Sequence, residues 1–212
     1  MSADSRGSRE DILRAAHELM VEMDTVEISL SQIAEKAQLS AALVKYYFGS
    51  KDGMLLELLR QYKTAPGRLD ALLAAPVSAS EKLAMHIQGI VNVYSRAPYL
   101  NRLILTLLRR DSPMVKEISE NFMRPMAEFH AKLLALGVQE GSMREIDPMS
   151  FNFMLVGACD NLFSRRAALP LGFGVPEITA EVRRKHVEEL TRLFLAGVAS
   201  DARAAGSEQR SA

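Results

Sequence analysis

The chain has no tryptophan, a single cysteine (Cys159) and no Asn-x-Ser/Thr sequon among its 212 residues. An intramolecular disulfide framework and the usual mark of a glycosylated secreted protein are therefore both excluded. Glycine (12) and proline (8) are too sparse for a low-complexity or collagen-like chain. Long apolar runs are missing as well: the purest, at 103–105 and 153–159, fall far short of the roughly 20 residues that a membrane-spanning helix needs. An excess of one charge is also lacking, with 26 Lys/Arg against 26 Asp/Glu, so the whole-chain balance carries no electrostatic signature of a polyanionic partner. The polar stretch 1–7 predicts no signal or transit sequence, and together these absences predict a cytoplasmic protein. What remains is a chain 48% hydrophobic and 25% charged, long enough to bury a core without staples.

Helical periodicity runs through almost all of it, and strand alternation through almost none, so the expected fold is all-α with about nine helices. In a first helix over 8–23, Ile12, Leu13, Ala16, Leu19, Met20 and Met23 form one apolar stripe. Ser29 and Gln32 have the spacing of a capping box, in which each side chain bonds the other residue's backbone N–H, and they open a second helix. Ser40 caps a third to Phe48; Gly49 breaks it, and Ser50 caps a fourth carrying Met54, Leu55, Leu58, Leu59 and Tyr62. The segment 65–79, with Pro66, Gly67 and Pro76, reads as a boundary with a short helical piece at 69–73. Beyond it, helices are expected from a Ser78/Glu81 capping box to Pro98, over 99–110, from Ser112–Pro113 to about Gly137 with a kink at Pro125, from Asp147–Pro148 to about Leu169, and over 179–199. The stretch 170–176 reads as a loop. The chain thus divides into 1–64, 65–200 and a disordered tail at 201–212.

A turn of about three residues between two short capped helices is the geometry that sets a second helix into a DNA major groove. In that helix Leu39, Val44 and Phe48 are expected to face the core, leaving Ala41, Ala42, Leu43, Lys45, Tyr46 and Tyr47 outward. The tyrosine hydroxyls can donate to phosphates, Lys45 and Lys51 can neutralise them, and the N–H groups opening the fourth helix form an anion site. Ser29 joins this DNA-binding set with Ser40, Ala41, Ala42, Leu43, Lys45, Tyr46, Tyr47 and Lys51. Arg6 and Arg9 stand where an arm could reach the DNA backbone. Against this reading, residues 1–65 hold eight Lys/Arg and ten Asp/Glu, where a basic balance is the usual footprint of DNA binding. The alternative is an all-α protein-interaction adaptor.

The runs Ile33-Ala34-Glu35-Lys36-Ala37-Gln38-Leu39-Ser40 and Val44-Lys45-Tyr46-Tyr47-Phe48-Gly49-Ser50-Lys51-Asp52 resemble the DNA-binding domain of the TetR family of transcriptional regulators, over about 8–59. That resemblance implies a ligand-responsive repressor, a homodimer that binds a palindromic operator and releases it when a small molecule enters the C-terminal domain. This chain departs from the family pattern at Gln38, where glycine is usual, at Lys45, where tyrosine is common, and at Ala41-Ala42-Leu43, where polar residues are frequent. For the small, mainly apolar effector, the candidates are Phe122 and Met126 beside Pro125, Phe153, and the polar residues His86, Asn92 and Asn121 set among apolar ones. Leu155, Leu162, Leu190 and Phe194, on the last two long helices, are the expected dimer contacts.

An enzyme finds little support. His17, His86, His130 and His186 lack metal-type spacing, Cys159 sits in an apolar run as an inert core thiol, and Gly172-Phe173-Gly174 lacks the third glycine of a nucleotide loop. No metal or cofactor is expected.

Overall fold

The computed structural model describes residues 3–63, 67–110 and 112–200, excluding the side chains of 3–7 and 112. The tail at 201–212 and the Arg6 side chain fall outside them. Among the described residues every element is helical, and the sole β feature is an isolated antiparallel bridge between Met143 and Ala199. The chain forms two compact units, one from residues up to 63 together with 96–119, the other from 64–95 together with the chain beyond 120. Packing therefore places two elements of the later sequence with the N-terminal helices, which the order of residues along the chain does not reveal.

The first unit contains α1 (Ala3–Glu22), α2 (Leu30–Lys36), α3 (Ala41–Phe48), α4 (Lys51–Arg60), α7 (Leu100–Leu107) and α8 (Ser112–Ile118). Its core is the expected stripe: Ile12, Leu13, Ala16 and Met20 of α1 close on Ile33, Val44, Met54, Leu55, Leu58 and Leu59. Met23 escapes it, 49% exposed at the end of α1. α7 is held against the other helices by polar contacts at several points. Tyr99, which precedes α7, is fully buried, with its hydroxyl 2.8 Å from His17 Nδ1 and 3.2 Å from the Tyr62 hydroxyl. Arg102 donates to the carbonyl and carboxylate of Asp24, a residue at φ +50° just beyond α1. Arg60 at the end of α4 makes a two-pronged bond to Glu117 of α8, at 2.7 and 2.8 Å.

The second unit is built from α5 (Arg68–Ala74), α6 (Ala79–Arg96, all but its last residue), α9 (Arg124–Gln139), α10 (Pro148–Ser164), α11 (Leu169–Phe173) and α12 (Ala180–Val198). The Ser78/Glu81 box caps α6 as its spacing predicts. Two expectations need correcting. The stretch 112–137 is helical throughout, but its irregularity is not a simple kink at Pro125: it is a π-helical turn, Ser119–Met123, between α8 and α9, and Pro125 stands in the turn directly after it. Nor is 170–176 wholly loop, because Pro170 fits the first turn of the short α11 after a 3₁₀ turn, Arg166–Ala168. Together with α5, the expected short piece at 69–73, the division of 112–137 and the added α11 account for the difference from nine helices.

Candidate nucleic-acid interface

The α2–α3 pair is defined by three serine caps in succession. Ser29 Oγ accepts from Gln32 N at 3.1 Å while Gln32 Oε1 accepts from Ser29 N at 2.8 Å; Ser40 Oγ accepts from Leu43 N, and Ser50 Oγ from Gly53 N. Each hydroxyl is exposed and acts in its cap as an acceptor, so its own proton can still be donated to a phosphate. Between α2 and α3 the chain reverses through a Schellman arrangement, Gln38 N bonding Glu35 O and Leu39 N bonding Ala34 O, with Gln38 at φ +56°. A glutamine thus occupies a left-handed position that costs a side-chain-bearing residue about 1 kcal/mol or more. At the next junction glycine is mandatory for space, because a Cβ on Gly53 would stand 2.3 Å from the Phe48 carbonyl oxygen.

α3 anchors itself through one residue, Val44, which is 1% exposed. Ala41, Ala42, Lys45 and Tyr46 are exposed, Tyr46 to 80%, while Leu43 and Tyr47 are half-buried with the Tyr46 and Tyr47 rings edge to face at 5.4 Å. All nine residues expected on the DNA-reading surface therefore keep solvent access along α2's cap, α3 and the start of α4. Lys51, the first residue of α4, is half-buried with Nζ 3.9 Å from Glu27. The expected core positions Leu39 and Phe48 are only partly covered. Phe48 is roofed by the Arg9 guanidinium, 5.3 Å above its ring, and Arg9 also pairs with Glu57 at 2.7 Å. This corrects the arm reading of Arg9, whose charge instead ties α1 to α4. Lys36 is likewise engaged, with Glu22 at 2.7 Å.

The second unit holds a different polar arrangement. His86 and His130, 5% and 0% exposed, face each other with Nε2 atoms 2.9 Å apart, and His130 Nδ1 lies 2.9 Å from Asn152 Oδ1. Because the Asn152 oxygen can only accept, His130 carries its proton on Nδ1 and accepts at Nε2 from His86. Burial pushes His86 down to about 3, aided by His130 and Arg68, and His130 down to about 4. The pair is neutral at pH 7. Phe129 stacks 4.3 Å from His86, and Phe151 stands edge-on to His130 at 5.5 Å and to Phe194 at 5.8 Å. His130 was not among the sequence candidates. Its signal was its place with Met126, Leu133, Leu134 and Gly137 on one stripe of α9.

The remaining candidates divide. Asn121, Phe122 and Met126 are half-buried around the π-helical turn and the start of α9. Asn92 is exposed and accepts from Gln88, and Phe153 is 64% exposed on α10, so neither belongs with His86. Leu155 (0% exposed) and Leu190 (7%) point into their own subunit's core and cannot be dimer contacts; Leu162 and Phe194 are half-buried. The apolar surface lies one face away, at Met149, Phe153 and Met154 of α10 and Leu193 of α12. Cys159 is a buried free thiol pushed up to about 12 by burial and by Asp160. Among the described residues no three His, Cys, Asp or Glu side chains gather as a metal site, and no helix is long and apolar enough to cross a membrane.

Residues 12–58 match the family "Bacterial regulatory proteins, tetR family", and 76–203 match "Tetracyclin repressor-like, C-terminal domain". The HTH-type transcriptional regulator BetI of Stenotrophomonas maltophilia is 37% identical over 67 residues, 30% of this chain and 34% of BetI, so that match spans about a third of the relative's length. The HTH-type transcriptional regulator RutR of Escherichia coli is 27% identical over 153 residues, 68% of each chain. A solved structure of a TetR/AcrR-family transcriptional regulator from Thermobifida fusca superimposes with TM-score 0.64 at 25% identity, covering 89% of this chain and 97% of that one.

Proposed function

The chain belongs to the TetR family of transcriptional regulators, and from that premise we propose that it is a repressor that binds a palindromic operator as a homodimer and leaves it when a mainly apolar small molecule binds the second unit. The observation that carries the reading is the α3 surface: one buried anchor, Val44, and on the accessible sides Ala41, Ala42, Lys45, Tyr46 and Tyr47, flanked by the caps Ser29, Ser40 and Ser50. Tyr46, 80% exposed on a solvated helix, serves no packing purpose. On a duplex, Tyr47, Lys51 and the cap hydroxyls hold phosphates, while Ala41, Ala42 and Leu43 meet thymine methyls and Lys45 meets guanine or phosphate.

Dimerisation is supported by the exposed Met149, Phe153, Met154 and Leu193, apolar surface that a monomer has no reason to present to water, with Leu162 and Phe194 at its margin. Two such faces form a four-helix seam and set two recognition helices on half-sites about one helical turn apart or somewhat more. Effector binding is supported by His86, a buried polar side chain in an aromatic core, with Asn121, Phe122 and Met126 nearby in sequence to the irregular π turn. The work is cytoplasmic, where the operator is.

Fluorescence anisotropy with the DNA upstream of the chain's own gene tests the reading. Binding that survives excess random competitor supports it; equal affinity for both DNAs overturns the operator, and no affinity for either returns the chain to the adaptor alternative. An inducer that lowers operator affinity tenfold binds the DNA-free state about 1.4 kcal/mol more tightly, and saturating operator must weaken inducer binding by the same factor.

A further inference from the structure

The first three helices and α4 form an acidic module, an awkward composition for a surface that must approach a polyanion. Residues 1–63 hold eight Lys/Arg against ten Asp/Glu. The segment 96–119, which packs with them, holds five against two and brings the unit to thirteen against twelve. Two of those five cations, Arg109 and Arg110, stand together just past the last turn of α7, both exposed. Their location follows from the docking of α7. Tyr99 and Arg102 fix its beginning against α1, and beyond its other end Arg110 Nε lies 3.2 Å from Asp52 Oδ2. Asp52 is the second residue of α4, directly after Lys51 and inside the turn whose N–H groups face the DNA in the reading above.

We propose that Arg109 and Arg110 form a second phosphate-contacting element of the operator-binding surface, supplied from outside the helix-turn-helix and set beside the start of α4. The inference rests on the DNA-binding reading and adds two residues to it. A guanidinium has five N–H donors in a planar fork, and the bond to Asp52 uses one of them. Arg110 therefore offsets the carboxylate nearest the phosphate anchor and still has donors for a phosphate oxygen. Arg109, next to it, adds a second cation to the same edge. Arg102 and Arg60, by contrast, are engaged with Asp24 and with Glu117 and Glu57. Arg9, Lys36, Arg60 and Arg102 thus dock helices of this unit, whereas Arg110 meets Asp52 at the α4 entrance.

The experiment uses the full chain and a 30-base-pair duplex of random sequence, with dissociation constants measured by anisotropy from 50 to 300 mM KCl. Each lost phosphate contact lowers the slope of log affinity against log salt by about 0.9, so the affinity lost between 50 and 200 mM salt shrinks by about three- to fourfold per contact. Arg109→Ala and Arg110→Ala should each show this reduction per protomer, Arg109→Lys should retain the wild-type slope, and the double variant should show the sum. Thermal melting confirms that these exposed substitutions leave the fold intact. Wild-type slopes in both alanine variants overturn the proposal. Full recovery of Arg110→Ala by adding Asp52→Asn also overturns it for Arg110, because the arginine then only neutralises its neighbour. A wild-type protein without measurable DNA affinity sinks the operator reading as well, and that failure is recognised before any variant is made.

Discussion

Acidification should destabilise this protein well above the pH at which carboxylates titrate, because its buried histidine pair must stay neutral to remain folded. Burial holds His86 at about 3 and His130 at about 4, whereas in the unfolded chain each titrates near 6.5. Between about pH 4 and pH 6.5 the unfolded chain thus binds protons that the native state does not, so stability rises with pH across that window and is lost as pH falls through it. The slope approaches about 1.4 kcal/mol per pH unit for each histidine once the pH is below 6.5 and is about half that at 6.5 itself, so descending from pH 6.5 to pH 5 removes about 1 to 2 kcal/mol per imidazole and about 3 for the pair. That is a large share of the roughly 5–15 kcal/mol by which a domain is stable. His17 and His186, both also lowered by burial, act in the same direction. The assay is urea unfolding followed by circular dichroism at pH 7.5, 6 and 5, on the wild type and on His86→Gln/His130→Gln. The double variant begins less stable but retains His17 and His186, so the difference between the two pH dependences isolates the pair. Parallel curves would show that the imidazoles titrate normally in the native state, and would refute the argument from burial.

Three further outcomes follow from single positions. Gln38→Gly should stabilise the first unit by about 1 kcal/mol and raise its melting midpoint by about 2–4 °C, because glycine occupies the φ +56° position without strain; a lower midpoint would mean that the side chain contributes more than the backbone costs. Gly53→Ala should destabilise by about 1–3 kcal/mol and weaken DNA binding, since its Cβ would stand 2.3 Å from Phe48 O; wild-type urea midpoints would contradict the close approach. Leu193→Glu together with Phe153→Glu should leave the subunit folded but monomeric in sedimentation velocity at micromolar concentration, whereas a persisting dimer would place the seam elsewhere.

The reading unit was largely legible because its signals are local. Ser29, Ser40 and Ser50 declare three helix starts, Gly49 a helix end, and Val44 and Phe48, one turn apart on α3, declare which side faces inward. The strained turn was legible only through the family resemblance, in which Gln38 stands where glycine is usual; the structure gives it φ +56°. What the sequence did not disclose was tertiary: that Arg9 stacks on Phe48 rather than reaching outward, and that α7 and α8 join the first unit through Tyr99, Arg102 and Glu117. Those contacts join residues tens of positions apart, and neither periodicity nor capping reports on such pairs.

The errors on α10 have a sharper cause. A helix that is polar on one side states its orientation, because only the apolar side can be buried; α10 is apolar nearly all round, so its sequence fits any rotation about its axis. Phe153 and Leu155 are two residues apart, about 200° around the helix, and equally apolar. Either could face the subunit core. The structure gives the core to Leu155, fully buried with Phe151, Cys159 and Phe163, and leaves Phe153 outside with Met149 and Met154. A second apolar face is the physical reason both for the wrong assignment and for expecting a partner, since a helix buried on one side only has no need of it. α12 differs, because its charged residues between Glu181 and Arg192 state which side faces outward; Val187, Leu190 and Val198 are buried, and Leu193, 59% exposed, is the large apolar residue on the outer side. The ambiguity of α10 in the sequence and the exposed apolar face it shows in the structure are therefore one property, an apolar composition on both sides of one helix.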